Sequence, residues 1–358
     1  ACGNTGAIED GELIHNEILR MGLLEKEIML GNALVDMYAK CGFLAKAEKV
    51  LEQLHSRDIV SWNALISGHA QQGQCYEALD CFKRMQSDDG LCPDAVTFIC
   101  ILKACGNAGA IDKGKQIHEE IFNKGLLGKN IVLSNTLVDM YAKCGELALA
   151  QQVLEELPIR DVVSWNALIA GYAEKGHGYE ALNCFRKIQS EKLAPDEITF
   201  LCVLSACSHS GLLEEAQVLF RDMTKKYGII PNLEHHTCMV MVYGCAGQFE
   251  KAMEVINVMP SSDYPTVWIA LLSACRKWGN VMLGRLAFDQ AVQLDDNCAV
   301  AYVLMANIFT SNGMHGDAER VEALRMKYAP WSDDKSKIWV GCNENIHSFS
   351  SEYMYAKV

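Results

Sequence analysis

The sequence lacks the run of about 18 apolar residues that a membrane-crossing helix requires, because charge or glycine soon interrupts every apolar stretch. It also lacks an excess of positive charge, with a formal net charge of −13. Phosphate contacts from Lys and Arg dominate nonspecific nucleic-acid affinity. Nucleic-acid binding by this chain would therefore rest on reading bases, helped by local lysines. Cysteine is plentiful at 16 residues, yet no two are separated by only two positions. That spacing excludes a zinc knuckle and a thioredoxin-like pair. Cys41, Cys105, Cys144 and Cys207 close helix-like apolar patterns, which reads as small buried thiols in a reducing compartment. Phosphate loops and nucleophile constellations are missing as well. No enzymatic activity, cofactor or metal is expected. With half of its residues hydrophobic and 22% charged, the chain folds.

What the sequence does contain is repetition. The segment Ile28–Asp58 returns as Ile131–Asp161 with 21 of 31 residues identical at an offset of 103. Ile59–Asp94 returns as Val162–Asp196, and Ala95–Asn130 returns as Glu197–Asn232. The resulting units are 28–58, 59–94, 95–130, 131–161, 162–196, 197–232 and 233–263, preceded by a partial long unit over 1–27. The chain starts inside a repeat, since its first eleven residues align with Ala104–Gly114.

Each unit reads as two helices. In the unit from Val162, Ser164 is the expected N-cap of an apolar run through Trp165, Leu168, Ile169 and Tyr172 that stops at Gly176. Tyr179, Ala181, Leu182, Phe185 and Ile188 space a second helix, expected to end at Pro195–Asp196. Neither helix can bury its stripe alone, so neighbouring hairpins must stack. The expected fold is all-α, a right-handed superhelical solenoid of helix-turn-helix repeats. Trp62, Trp165 and Trp268 recur at one helical position and read as solenoid core.

The strings VSWNALI, NALVDMYAKCG and VLSACSHSGLLEEA resemble pentatricopeptide repeats of the PLS subclass, which mixes short, standard and long units. Residues 264–330, carrying VWIALLSAC and AYVLMANI, resemble the two tetratricopeptide-like E motifs that follow such arrays. The extension 331–358 resembles the segment before a DYW deaminase domain, though it lacks the usual Pro-Gly before the Trp, and no such domain follows in this sequence.

The resemblance implies single-stranded RNA binding at one base per repeat. It places the reading pair at the fifth and last residues of a unit. Those pairs are Asn32 with Asp58, Asn63 with Asp94, Asn135 with Asp161, Asn166 with Asp196, and Thr237 with Asp263. An amide both donates and accepts, which suits a base edge, and a carboxylate can orient it. The family's code then implies U, pyrimidine, any, U, U, any, G, where the two unspecified positions are the long units carrying Ile99 with Asn130 and Leu201 with Asn232. Met29, Val60, Val132 and Val163 are the implied base-sandwiching residues, whereas Glu234 departs from that pattern. Lys40 and Lys143 are candidate phosphate contacts. A single Asn or Asp at a helix start also suits a cap, and a Lys at a helix end suits the helix dipole.

His15 and His118 match half of a zinc deaminase signature, but the Pro-Cys-x-x-Cys half is missing. His235–His236 has no cysteine at ligand spacing and reads as surface or packing. The resemblance implies the recognition module of an organelle C-to-U editing factor, in mitochondrion or chloroplast, with a DYW-type deaminase or other editing factors reached through the E motifs. A helical protein-interaction scaffold, and RNA binding for splicing or stability, stay open as alternatives.

Overall fold

The computed structural model describes residues 8–24, 27–259 and 264–329. Nineteen α-helices and no strand lie among the described residues. The chain divides into two compact units, 1–171 and 172–358.

In the first unit, α1 (Ile8–Arg20) precedes four hairpins. These are α2 (Ile28–Lys40) with α3 (Leu44–Gln53), α4 (Ile59–Gln71) with α5 (Cys75–Ser87), α6 (Ala95–Ala108) with α7 (Ile111–Asn123), and α8 (Ile131–Lys143) with α9 (Leu147–Glu156). The division falls within α10 (Val162–Glu174). The second unit continues with α11 (Gly178–Ser190), α12 (Glu197–Ser210) with α13 (Leu213–Lys225), and α14 (Leu233–Cys245) with α15 (Phe249–Val258). It closes with α16 (Pro265–Trp278) and α17 (Val281–Leu294), then α18 (Ala299–Ser311) and α19 (His315–Tyr328).

Turns of two or three residues join the helices of a hairpin, so each pair folds back on itself. The first helix of a hairpin packs on its own partner and on the first helices of adjacent hairpins, as α4 does with α2 and α6, and α14 with α12 and α16. First helices are therefore covered on several sides. Helix α8 buries every residue from Leu133 to Ala142, whereas α9 buries only Leu147, Ala150, Val153 and Leu154. The second spacing is the one-faced stripe of an outer helix. Neighbouring first helices approach closely at small residues: a Cβ on Gly68 would lie 2.7 Å from the Ala39 Cβ. Trp62, Trp165 and Trp268 are buried, as a core series should be.

Two local expectations change. The N-cap of α10 is Asp161, not Ser164: the Asp161 carboxylate accepts from the Ser164 backbone N–H at 2.9 Å, and the Ser164 hydroxyl accepts from the Asp161 N–H at 3.0 Å. Ser164 is the third helical residue of a reciprocal capping box. Helix α11 ends at Ser190, ahead of Pro195, because Lys192 turns left-handed (φ +60°) and Leu193 N–H returns to Ile188 O at 3.1 Å.

The cysteines of the described residues are free thiols. Burial pushes those of Cys81, Cys105 and Cys207 up to about 12, so they pack as apolar groups.

Candidate nucleic-acid interface

Each first helix from α2 to α14 begins directly after the last residue of the preceding unit, which makes that residue the N-cap. The fifth residue then stands one turn inside the helix. At the junction of α2 and α4, Asn32 Nδ2 donates to Asp58 Oδ1 at 3.1 Å and Oδ2 at 3.2 Å. Asn63 Nδ2 donates to Asp94 Oδ1 at 3.2 Å, and Asn135 Nδ2 donates to Asp161 at 3.0 and 3.2 Å. In each case the same Asp caps the following helix, with Ser61, Thr97 or Ser164 returning the bond as a capping box. A serine or threonine three positions after each Asp was the sequence signal for this arrangement.

Asn166 is buried in α10, and Asp196 caps α12 by accepting from Thr199 N–H at 2.8 Å. These two residues belong to different units. Asp263 lies outside the described residues. Its candidate partner Thr237 donates its hydroxyl to Leu233 O at 2.8 Å, within its own helix.

The long units show what capping alone needs. Asn130 accepts from Leu133 N–H at 3.1 Å, and Asn232 accepts from His235 N–H at 3.1 Å. Their fifth residues, Ile99 and Leu201, are aliphatic and supply no hydrogen bond. A competent cap therefore forms without an amide reaching over from the previous unit.

Committing Nδ2 to the carboxylate leaves the amide oxygens of Asn32, Asn63 and Asn135 buried, with no hydrogen-bond partner among the described residues. Buried acceptors of this kind are uncommon in folded proteins. The shared carboxylate is also strongly solvated by the protein. Burial alone would push the Asp94 carboxyl up, but donation from the Thr97 backbone, the Thr97 hydroxyl and the Asn63 amide holds it below the ordinary 3.8.

The second residues of these helices stand three positions before the asparagines, on the same helical face. Met29 is 77% exposed, Val60 and Val132 55%, and Val163 42%. The junctions thus set an exposed aliphatic beside a buried amide. Lys40 and Lys143 close α2 and α8, and each is already paired one turn back, with Asp36 at 2.7 Å and Asp139 at 2.9 Å. Sequence reading missed these carboxylates, although the i, i+4 spacing in Asp-Met-Tyr-Ala-Lys shows them.

His15 and His118 each face a tyrosine hydroxyl, Tyr38 and Tyr141, at 2.9 Å, and burial lowers both imidazoles. His235 is buried as the third residue of the α14 capping box, while His236 faces Asn232 O at 2.8 Å. Among the described residues no cluster of three or more His, Cys, Asp or Glu is placed to hold a metal.

The PPR repeat family model matches residues 57–107 and 160–209, and the PPR repeat model matches 32–59, 132–162, 198–227 and 234–264. A chloroplastic pentatricopeptide repeat-containing protein of Arabidopsis thaliana is 38% identical over 326 residues, covering 90% of this chain and 44% of the relative. A mitochondrial one from the same plant is 36% identical over 327 residues, covering 91% of this chain and 58% of the relative. The chain spans about half the length of the curated relatives it matches. In fold it is similar to the pentatricopeptide repeat protein PPR10 solved in complex with an 18-nucleotide psaJ RNA element, with a TM-score of 0.70 at 18% identity over 90% of this chain and 49% of that one. The repeated helical hairpins, with family models matched along more than half of the sequence, place this chain in the pentatricopeptide repeat family.

Proposed function

We propose that the chain reads single-stranded RNA at one base per repeat and serves as the recognition part of an organelle C-to-U editing factor. It performs no chemistry itself. The observation that carries the reading is the amide–carboxylate bond across a junction, at Asn32–Asp58, Asn63–Asp94 and Asn135–Asp161, where a cap alone needs no such partner. Each amide keeps an acceptor oxygen, which suits the ring N–H of uracil or the exocyclic amine of cytosine. The exposed Met29, Val60, Val132 and Val163 supply apolar contact for the base faces.

The long units, with Ile99 and Leu201, skip discrimination at their positions. The proposed target is U, pyrimidine, any, U, U, any, G. Fold similarity to an RNA-bound pentatricopeptide repeat protein supports the RNA partner, and the chloroplastic and mitochondrial relatives support an organelle. The editing role rests on the resemblance of residues 264–330 to E motifs, which would bring a DYW-type deaminase to the site.

Gel shifts with short RNAs test the reading. Preference for the proposed target, weakened by Asn135→Ala, supports it. Equal binding to poly-A and poly-U overturns it, and so does no binding at low salt, which favours a protein-interaction scaffold that the net charge of −13 suits. An editing assay, scoring whether this chain brings a separately supplied deaminase to a cytidine beside the target, tests the editing role.

A further inference from the structure

At several hairpin turns the residue before the left-handed glycine lies over the glycine of the preceding turn. Gln72 stands at Gly42, Asn312 at Gly279, and Trp278 at Gly247. The other described turns carry smaller or polar residues at this place, from Cys41 and Lys175 to Ala246. Solenoid packing therefore requires nothing as large as tryptophan here.

The indole is nonetheless held firmly. A Cβ on Gly247 (φ +73°) would lie 3.3 Å from both Cε2 and Cζ2 of Trp278, so part of the ring rests on bare backbone. The indole N–H donates to Gly244 O at 3.0 Å, which fixes the ring's direction. Even so, Trp278 remains 54% exposed. An oriented, half-open aromatic surface is the shape of a stacking platform.

Its charge surroundings agree. Lys277 precedes Trp278 and Gly279 as Lys40 precedes Cys41 and Gly42, and as Lys143 precedes Cys144 and Gly145. Lys40 and Lys143 each have a carboxylate one turn back, but Lys277 has Ser273. The Lys277 ammonium donates to Cys245 O at 3.0 Å and lies 5.8 Å from the indole centroid. It makes no ion pair among the described residues, and Arg276 adjoins it. A cation not neutralised by a carboxylate beside an open aromatic is notable in a chain of net charge −13. The fifth residue of this helix is the buried Ile269, which has no group to read a base edge.

We infer that Trp278 and Lys277 form a stacking site for one unpaired nucleobase and its phosphate, taking a nucleotide of the same strand beyond those met by the repeats. The inference rests on the RNA-binding reading but not on base selection. Stacking accepts any base because every base has a π-face, so the site adds affinity without specificity.

The test uses the 358-residue chain and the proposed seven-base RNA, with and without three added nucleotides at either end. Extension at one end is expected to tighten binding by about 5- to 100-fold, and an abasic extension is not. Trp278→Ala should abolish the gain while leaving the short RNA unchanged, and Trp278→Tyr should keep most of it. Lys277→Gln should reduce the gain and its salt dependence. Equal binding of short and extended RNA, or equal loss for both in Trp278→Ala, overturns the inference. If the Trp278-dependent gain persists while Asn135→Ala has no effect, base reading fails and the platform stands. No RNA binding at low salt overturns both.

Discussion

Asp161 serves two neighbours at once, accepting the Asn135 side-chain amide at 3.0 Å and the Ser164 backbone N–H at 2.9 Å. One carboxylate therefore caps a helix and ties it to the unit before. Asp161→Ala should remove both bonds and cost about 0.5–2 kcal/mol for the cap. Urea unfolding measures this, and an unchanged midpoint would count against a stabilising role.

Ile99 and Asn130 offer a gain-of-function test. The double substitution Ile99→Asn and Asn130→Asp recreates the pair found at Asn63 and Asp94 within an otherwise similar junction. We expect pyrimidine preference to appear at the third target position, where the proposed target specifies no base. Competition between four RNAs that differ only there would reveal it, and unchanged preference argues against base reading.

Met29 and Val132 are exposed, so their truncation should leave folding untouched. Met29→Ala and Val132→Ala are each expected to lower RNA affinity several-fold with a melting temperature within about a degree of the wild type. A fall in stability matching the fall in affinity would instead mark them as structural.

The depressed Asp94 carboxyl predicts an acid limb. Its folded value lies below the ordinary 3.8, so its contribution is complete above that value and is lost as pH falls through the folded one. Denaturation followed from pH 6 down to about pH 2 should show stability falling there, and Asp94→Asn should flatten that limb. Equal slopes in both proteins would remove Asp94 from the explanation.

Gly68 has no room for a side chain against Ala39 and Leu44. Gly68→Val should force α2 and α4 apart and cost about 1–3 kcal/mol, read as a lower urea midpoint. A neutral result would show that the helices can shift without loss.

The period of the sequence was sufficient for hairpins, for the core tryptophans and for the positions of the junction residues, because helix periodicity and repeat offset are local properties of the chain. It misplaced the α10 cap by three residues, since Ser164 and Asp161 are both capping types and only the backbone start at Val162 separates their roles. Burial was not legible in sequence. Met29 and Asn32 are both near a helix start, yet packing of neighbouring helices leaves one exposed and draws the other inward. The Asn–Asp bonds themselves join residues 26 to 31 positions apart. The sequence could put an amide and a carboxylate at fixed places in four of the units, but only the stacking of one hairpin on the next brings them within 3.2 Å.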